Sequence, residues 1–454
     1  MRVYPEPLEI GDEEGFSTGK DIFGRKQLAD GMSHLVATVE DPLVIAFDGQ
    51  WGSGKTTFLK LWAGELRKNG YPVIFFDAFE NDYIDDAFGA LAREIVSIAD
   101  EKAEPESGVA ESFKEKAKHL GGVLLRGAAK VGVKAVVRVA TGGLATGDEF
   151  KEIIKDAGGE VEDIAETYME QILSRPKIQK EIIEKFRGAL AELPGLICPP
   201  KIGEVQKPLI FIIDELDRCK PLFALSILER IKHFMSVRNV HYVLGVHLEQ
   251  LQGSVRYAYG ESINASAYLQ KFINIVVVNS VDNEYESQSD LHRYARHLVD
   301  RLGVRERKDR SLEAAVEVVV RILKHEQMSY RTLERAFTTI ALSLSLTPEN
   351  RLLVSQIAGG LVAMKLLRLD LFKKAKMGTL ELSEALEFLR ISGKEQKKHK
   401  LEWEEKWWTY VLSEEISEDL NEYGRSVSFN YSIRRQDIIK YMANEVIDRI
   451  GPVR

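Results

Sequence analysis

Five short apolar runs in the first part of the chain have the length and composition of buried strands. They lie at residues 43–47, 71–76, 208–213, 240–246 and 275–278. Between them, apolar residues recur at the three- to four-residue spacing of an amphipathic helix. Because strands that alternate with helices form parallel sheets covered by helices, this pattern predicts an α/β fold with a five-stranded parallel sheet.

The hydrophobic pattern becomes purely helical after residue 281. Helical periodicity marks residues 287–302, 312–325 and 329–344, and a charged helical stretch runs from 347 to 454. Ser329 is a suitable N-cap for the third of these helices. The sequence therefore predicts a sheet domain followed by an all-helical region.

A glycine-rich loop joins the first strand to the next helix. Residues 49–56, GQWGSGKT, match the phosphate-loop motif G-x-x-x-x-G-K-[ST] between a strand and a helix, the context that a true match requires. Glycines let the backbone curl around phosphates, and main-chain amides at a helix N-terminus point at the anion. Lys55 is predicted to reach the β- and γ-phosphates, and the Thr56 hydroxyl to ligate Mg²⁺. The predicted nucleotide-binding set is Gly49, Gln50, Trp51, Gly52, Ser53, Gly54, Lys55, Thr56 and Thr57.

The third apolar run ends in two acidic residues, Asp214 and Glu215. An apolar strand followed by Asp-Glu, downstream of a phosphate loop, is the Walker B pattern. We expect Asp214 to hold magnesium through its coordination shell and Glu215 to polarise the attacking water. Strand alternation turns the two carboxylates to different faces, which gives them separate tasks. Thr56 and Asp214 are therefore the predicted metal residues of a P-loop NTPase core.

Two further residues are candidates for sensing the γ-phosphate. His247 lies at the tip of the fourth strand, where it either hydrogen-bonds the phosphate or is a structural histidine. Arg331 lies in the first turn of the helix predicted at 329–344. An arginine there either senses the phosphate or forms a surface salt bridge with Glu334.

Two short polar segments near the phosphate loop have two interpretations each. Phe23 and Gly24, in a D-x-x-G-R stretch before the first strand, either border the base of the nucleotide or form a capping turn. Asp77 and Glu80 follow the second strand, at the sheet edge where ligands of parallel sheets bind. They either position water or the metal shell, or they cap the helix predicted at 85–98.

A long insertion separates the second and third strands. Within it, residues 121–146 are apolar and long enough to suggest a membrane span. Arg126, Lys130, Lys134 and Arg138 argue against a span, because each would be expensive at the bilayer centre. Their four-residue spacing predicts a basic amphipathic helix. This helix either packs on the core with a solvated face, or contacts an anionic membrane surface, nucleic acid or an acidic partner.

These features divide the chain into five segments. They are the first part of the NTPase core at 1–100, a helical insertion at 101–205, the second part of the core at 206–281, a helical lid at 282–345 and a C-terminal helical domain at 346–454. In the last segment, tryptophans 403, 407 and 408 follow a basic stretch at 394–400. Such residues either stack on nucleic acid or, the interpretation we favour, form core and a solvated face.

Composition narrows the environment in which the chain works. A length of 454 residues predicts two or three domains, and a formal net charge of -8 argues against a wholly basic nucleic-acid binder. The two cysteines, Cys198 and Cys219, fit a reducing cytosol, and the N-terminus lacks the apolar core of a signal peptide. We expect a cytoplasmic protein, with peripheral association at the inner membrane face as the alternative.

Five segments, in this order, resemble the KAP family of P-loop NTPases, in its bacterial soluble form. They are GQWGSGKTT, FFDAFEND, FIIDELDRC, YLQKFI and MSYRTLERAF, and they span about residues 23–343. The family is similar to AAA+ and STAND NTPases, so the resemblance implies ATP as the nucleotide, with Mg²⁺. Many family members carry membrane helices between the Walker motifs, where this chain has cations, and often show aspartate where it has His247.

The resemblance also implies partners. Lys271 occupies the place where related AAA+ proteins put an arginine finger, which implies that it acts in trans across the interface of a homo-oligomer. A lysine would neutralise phosphate there only as a point charge. Some bacterial KAP proteins are linked to phage exclusion, so the resemblance implies a role in phage defence with a partner effector protein.

The predicted function is an ATPase that couples nucleotide binding and hydrolysis to a conformational or assembly change. Lys55, Asp214 and Glu215 are its main catalytic candidates, with Lys271, His247 and Arg331 as accessory ones. One alternative is an ATP-dependent signalling switch with little turnover. The others are a nucleic-acid-stimulated ATPase and a peripheral membrane scaffold that uses residues 121–146.

Overall fold

The computed structural model describes residues 8–83, 90–91, 94–95, 176–234, 237–279, 290–302, 311–326, 329–347, 353–391, 399–422, 424 and 433–448. The apolar stretch predicted at 121–146, with its four cations, lies outside the described residues. The helix predicted at 85–98 and the basic stretch at 394–400 lie mostly outside them as well.

The described residues form two compact units. One contains the described residues of the ranges 9–49 and 54–279, and therefore holds every predicted strand. The other contains Leu8, the loop Gln50–Ser53 and the described residues from Asp290 onward. Half of the phosphate-loop motif, Gly49 and Gly54–Thr56, thus belongs to the sheet unit, whereas Gln50–Ser53 group with the helical unit.

The sheet unit is built on five parallel strands. They are β1 (Val44–Asp48), β2 (Val73–Asp77), β3 (Leu209–Asp214), β4 (Val240–Val246) and β5 (Ile275–Val278), and they lie in the order β2-β3-β4-β1-β5. Each neighbouring pair is parallel. The predicted α/β fold is therefore confirmed.

Helices connect and cover these strands. They are α1 (Lys26–Thr38), α2 (Lys55–Lys68), α3 (Pro176–Ile197), α4 (Pro221–Phe234), α5 (Leu248–Tyr259) and α6 (Ala265–Leu269). Helix α4 begins at Pro221. Proline is favoured at the first helical position, because that position needs no amide donor.

Strand β1, which lies between β4 and β5, is buried on both faces, as a continuous apolar run predicts. Val44 and Ala46 pack into one hydrophobic cluster, whereas Ile45 and Phe47 pack into another on the opposite side of the sheet. In the second cluster, the ring nitrogen of the fully buried Trp62 donates a hydrogen bond to Ser33 at 2.9 Å. This bond joins α2 to α1 and fixes the helix that begins at Lys55.

The helical unit consists of α7 (Asp290–Leu302), α8 (Ser311–His325), α9 (Tyr330–Leu346), α10 (Ser355–Leu367), α11 (Leu369–Met377), α12 (Leu382–Phe388), α13 (His399–Leu412) and α14 (Ile438–Tyr441), which runs on into a π-helical turn at Met442–Ile447. Helix α10 is buried along most of its length. A Cβ on Gly359 would lie 2.4 Å from the carbonyl oxygen of Ala315, so α8 and α10 pack closely there. Trp408 is fully buried, which agrees with a core role.

None of the helices in the described part of the chain combines the length and the apolar character needed to cross a lipid bilayer.

Candidate functional site

Acidic residues end three strands at the carboxyl edge of the sheet. Asp77 and Asp214 are register partners at the ends of β2 and β3, and Asp48 ends β1. Ligands of parallel sheets bind beyond this edge. Asp48 links this edge to two other segments. Its carbonyl accepts a hydrogen bond from the Asn279 amide at 2.7 Å, and its carboxylate accepts one from the Leu248 amide at 2.8 Å.

The glycine loop begins at this edge with Gly49, whose amide donates a hydrogen bond to the Val246 carbonyl at 3.1 Å. The loop closes with a hydrogen bond from the Ser53 amide to the Gln50 carbonyl, also at 3.1 Å. Gly54 has a φ of 81°, a left-handed conformation that favours glycine, and it caps the start of α2. The motif therefore forms a turn directly before a helix N-terminus, the arrangement that binds phosphate through main-chain amides.

Lys55 is buried in the first turn of α2, and its ammonium donates a hydrogen bond to the Gly49 carbonyl at 2.5 Å. Burial lowers the pKa of Lys55. The negative charges of Asp217 and Asp214 oppose that shift, and the positive charge of Arg218 adds to it. The negative charges of Asp214, at the end of β3, and Asp217, shortly after it, thus act on the ammonium.

Asp214 is fully buried at the end of β3, and its Oδ1 accepts a hydrogen bond from the Glu215 amide at 2.9 Å. Burial raises the pKa of Asp214 to about 6, whereas hydrogen bonds from the Thr56 hydroxyl and the Glu215 amide act in the opposite direction. Oδ2 is buried and has no hydrogen-bond partner among the described residues. An unsatisfied buried acceptor is costly, so Oδ2 is a natural position for a ligand.

Gly245, in the middle of β4, makes room for this carboxylate. A Cβ at Gly245 would lie 2.1 Å from Asp214 Oδ1 and 2.7 Å from a methyl carbon of Leu59. Glycine weakens a strand interior, and it is common where another group approaches the backbone closely. Position 245 therefore holds a glycine because the Asp214 carboxylate occupies the space that a side chain would need.

The residues present fit a magnesium ion bound together with a nucleotide. Thr56 supplies a hydroxyl, Asp214 supplies the carboxylate with the unpartnered Oδ2, and oxygen ligands of this kind are what Mg²⁺ prefers. The described residues contain no group of three or more His, Cys, Asp or Glu side chains placed to hold a metal. The remaining ligands would come from phosphate and water, as is usual for magnesium at nucleotide sites.

Glu215 follows β3 in a left-handed conformation, with φ 57°. Its carboxylate is held by Arg218, whose Nη1 lies 2.7 Å from Oε1 and donates to Oε2 at 2.7 Å. The turn Leu216–Arg218 brings the two side chains together.

The structure adds residues that the sequence patterns did not single out: Asp48, Asp217, Arg218 and Gly245. The three-residue spacing of Glu215 and Arg218 was a usable signal, because side chains three apart meet on a helical turn. Nothing in the sequence marks Gly245, since its role depends on an aspartate of the neighbouring strand.

His247 lies just before α5, at the tip of β4. Its Nε2 is 3.8 Å from a carboxylate oxygen of Glu249, a contact that counts as an ion pair only when the ring is protonated. The position agrees with the predicted strand tip, and the sensor role of His247 stays a prediction.

Phe23 lies beside the phosphate loop, and Gly24 follows it in the chain. The Phe23 ring would be 3.4 Å from a Cβ on Gly54, and the Arg25 guanidinium lies 4.7 Å from the centroid of that ring. Arg25 also donates a hydrogen bond to the side chain of Asn279, the residue that directly follows β5. The segment is thus placed where a base could be bordered, and a contact with adenine stays a prediction.

Asp77 and Glu80 interact within one turn. The Asp77 carboxylate accepts a hydrogen bond from the Glu80 amide at 3.0 Å, and the Asp77 carbonyl accepts from the Asn81 side chain at 2.8 Å. The carboxylate therefore caps the turn directly after β2.

Lys271 is exposed after α6, and its ammonium lies 5.0 Å from the centroid of the Tyr268 ring. The hydroxyl groups of Tyr259 and Tyr268 both donate to Oε1 of Glu229, at 3.1 and 3.2 Å. Tyr259 and Glu229 thus hold the Tyr268 ring in place, and Lys271 packs against that ring. The role of Lys271 in trans stays a prediction.

Arg331 lies in the first turn of α9, whose N-cap Ser329 accepts a hydrogen bond from the Thr332 amide. Within the helical unit, the Tyr330 amide donates to the Gly52 carbonyl at 3.2 Å. A Cβ on Gly52 would lie 3.2 Å from the Cβ atoms of both Ser329 and Arg331. The N-terminus of α9 therefore contacts the tip of the glycine loop, and the role of Arg331 as a sensor stays a prediction.

The match to one family model agrees with these motifs. The family model described as the KAP family P-loop domain matches residues 25–346, more than half of the chain. No curated protein sequence matches the chain. Among solved structures, AMPPCP-bound DnaA from Aquifex aeolicus is similar at 13% identity and a TM-score of 0.30, with 94% of this chain and 95% of that chain covered. The chain, with its phosphate loop and its buried Asp214 at the edge of a parallel sheet, belongs to the KAP family of P-loop NTPases.

Proposed function

We propose that the protein is an ATPase that binds ATP with Mg²⁺, hydrolyses it and couples nucleotide state to a conformational or assembly change. The observation that carries the proposal is the buried Asp214 carboxylate, whose Oδ2 has no hydrogen-bond partner among the described residues. It lies beside the Thr56 hydroxyl and close to the charge of Lys55. This combination suits a metal-bound triphosphate, and membership of a P-loop NTPase family supports it.

The residues of the site divide the work of phosphoryl transfer. Lys55 exchanges its hydrogen bond with the Gly49 carbonyl for one with a phosphate oxygen, and its charge is effective because the side chain is buried. Thr56 and Asp214 would hold the metal, which would supply charge neutralisation at the phosphates. Glu215 orients the attacking water. Positioning and charge neutralisation, rather than covalent chemistry, supply the catalysis.

Two variants test this assignment. Lys55→Ala removes a buried cation from the phosphate site, so we expect binding of Mg-ATP to weaken by about 100-fold or more. Glu215→Gln keeps the shape of the side chain but removes its basic oxygen, so we expect ATP to bind while turnover falls by about 100-fold or more. Nucleotide affinity is measured by calorimetry and turnover by phosphate release.

The matched controls come from the same elements. Lys60→Ala changes an exposed lysine of α2, and Glu204→Gln changes an exposed glutamate of the segment before β3. Both should bind and hydrolyse ATP like the wild type. Tight binding of Mg-ATP by the Lys55→Ala variant would contradict the proposal.

We further propose that the active form is a homo-oligomer in which Lys271 acts on the nucleotide of a neighbouring subunit. Its exposure and its support by the Tyr268 ring fit a residue that reaches outward. Mixing Lys271→Ala subunits with Glu215→Gln subunits tests this idea, because each supplies what the other lacks. We expect two weakly active proteins to regain turnover when mixed.

The control for this mixing experiment is Lys232→Ala, an exposed lysine of α4, which should remain fully active alone. If the mixture is no more active than the average of its components, Lys271 does not act in trans. Native mass measurement with ATP and with ADP gives the subunit number directly.

A cellular role in phage defence, together with an effector protein, is proposed from family resemblance. The test is a phage challenge of bacteria that express the wild-type chain, the Lys55→Ala variant or the Lys60→Ala control. Protection by wild type and control, and its loss in the Lys55→Ala strain, would support the role. Equal plaque numbers in all three strains would refute it.

A further inference from the structure

The carboxylate proposed to orient water is already engaged by an arginine of its own turn. Nη1 of Arg218 lies 2.7 Å from Oε1 of Glu215 and donates to Oε2 at 2.7 Å. The two side chains are 27% and 18% exposed, so solvent screens this pair less than a surface pair. An arginine–carboxylate contact of this length is among the stronger charge-assisted hydrogen bonds in proteins.

The backbone builds this pair into the fold. Glu215 adopts φ 57°, and the Arg218 amide donates to its carbonyl at 3.1 Å. Leu216 and Cys219 are buried on either side of Arg218 and anchor the turn. A left-handed conformation is unfavourable for a residue with a Cβ, and such strain is concentrated at functional sites. The pairing therefore follows from a fixed turn rather than from a chance meeting of flexible side chains.

Arg218 also lies close to the phosphate lysine. The Arg218 guanidinium and the Lys55 ammonium are close enough for their two positive charges to interact. Asp217, between Glu215 and Arg218 in sequence, is buried in the same turn. The guanidinium is therefore held by one carboxylate at the edge of a site built for phosphate oxygens.

We propose that Arg218 is a positioning residue that holds Glu215 in the nucleotide-free protein and moves to the γ-phosphate when ATP binds, which releases Glu215 to orient water. A guanidinium donates charge-assisted hydrogen bonds to carboxylate and phosphate oxygens alike, so the two groups compete for it. ADP has no γ-phosphate and leaves the Arg218–Glu215 pair intact. This inference rests on the proposed ATPase function and adds a residue that distinguishes ATP from ADP.

The competition predicts a specific pattern of binding. Glu215→Gln removes the competing charge, so Arg218 is released and affinity for a non-hydrolysable ATP analogue should rise by about tenfold. Affinity for ADP should not change. Arg218→Ala should lower affinity for the analogue by about tenfold while leaving ADP binding intact. In the double variant, Glu215→Gln should no longer improve binding of the analogue, because there is no arginine to release.

The experiment is a double-mutant cycle on the full chain, with calorimetric dissociation constants for the Mg²⁺ complexes of ADPNP and ADP. Arg218→Lys is included because it keeps the charge without the fork, and should recover only part of the discrimination. Arg230→Ala, an exposed arginine of α4, is the matched control and should behave like the wild type. ADP binding shows that each variant is folded, and if Arg218→Ala does not fold, the Arg218→Lys cycle replaces it.

Two results would overturn the inference. In one, Arg218→Ala weakens ADPNP and ADP equally, which is the behaviour of a purely structural residue. In the other, Glu215→Gln improves ADPNP binding equally with and without Arg218. Either outcome leaves the ATPase proposal standing, because that proposal is tested by Mg-ATP binding and hydrolysis in the wild type and by the loss of binding in Lys55→Ala.

Discussion

Two buried carboxylates, one in each unit of the molecule, are satisfied in different ways. Glu404 of α13 is 4% exposed, and its Oε1 accepts a hydrogen bond from Nη2 of Arg321 at 2.6 Å. Asp214 is fully buried, and its partners are a hydroxyl and a backbone amide. Burial raises the pKa of both groups, and the arginine opposes that shift at Glu404.

The difference separates a carboxylate used for packing from one kept for a ligand. Arg321 neutralises the charge of Glu404 within the protein, and this ion pair joins α8 to α13. Oδ2 of Asp214 has no such partner in the described part of the chain, although an unsatisfied buried acceptor costs about 1–3 kcal/mol. A group kept at that cost indicates function, and the following predictions test the contrast.

The largest expected effect is on turnover. Asp214→Asn removes the negative charge proposed to hold magnesium, and we expect turnover to fall by about 100-fold or more, as for other groups that stabilise charge in the transition state. Glu404→Gln should hydrolyse ATP at the wild-type rate. Phosphate release by the two purified variants checks the prediction, and equal losses of activity would contradict it.

The second effect is on the pH dependence of stability without nucleotide. The pKa of Asp214 is raised from 3.8 to about 6, so the folded protein binds this proton more tightly than the unfolded chain does. Stability is therefore lost as pH rises from about 4 to about 6, and then levels off. The shift corresponds to about 3 kcal/mol at most.

The measurement is urea unfolding between pH 4 and pH 8, with Asp214→Asn as the reference. Its amide does not ionise, so this variant should become progressively more stable than the wild type up to about pH 6. A constant difference across the whole range would show that Asp214 is not perturbed by burial.

The third effect is a loss of stability, opposite in sign to the effect of Asp214→Asn. Glu404→Gln leaves the partly buried Arg321 without its counter-charge, so we expect a loss of about 2 kcal/mol at pH 7. Asp214→Asn should not destabilise at that pH. Urea unfolding with both variants side by side checks the signs, and the same sign for both would remove the distinction between the two carboxylates.

The smallest effect comes from crowding. Gly245→Ala places a methyl group against Asp214 Oδ1, and Gly360→Ala places one 2.6 Å from the Trp408 ring in the helical unit. Each should lose about 1 kcal/mol through overpacking. Only Gly245→Ala should also weaken magnesium-dependent ADP binding, which calorimetry with and without EDTA measures. Equal nucleotide affinity in both variants would show that the space beside Asp214 is not critical.

Much of the fold could be predicted because it depends on local pattern. All five strands were found, as were the glycine loop and the acidic pair after β3. Errors were at the ends of elements. The second strand was predicted from Tyr71 but begins at Val73, because Pro72 has no amide to donate to a neighbouring strand.

The rest of the site depends on contacts between distant parts of the chain. Arg25 and Asn279 are 254 residues apart and still share a hydrogen bond, which no spacing in the sequence predicts. Gly245 is required by an aspartate on another strand. The pairing of Glu215 with Arg218 is local, but it depends on a left-handed backbone at a glutamate, which sequence propensity does not favour.

The hydrogen bond from Lys55 to the Gly49 carbonyl has a consequence for the speed of nucleotide capture. It spans the glycine loop, so the loop is held as a turn until a phosphate oxygen replaces the Gly49 carbonyl as the partner of the ammonium. Little conformational entropy is then lost on association, as for other preorganised receptors. Capture should therefore be rapid, and the slow event in each cycle should lie after the encounter.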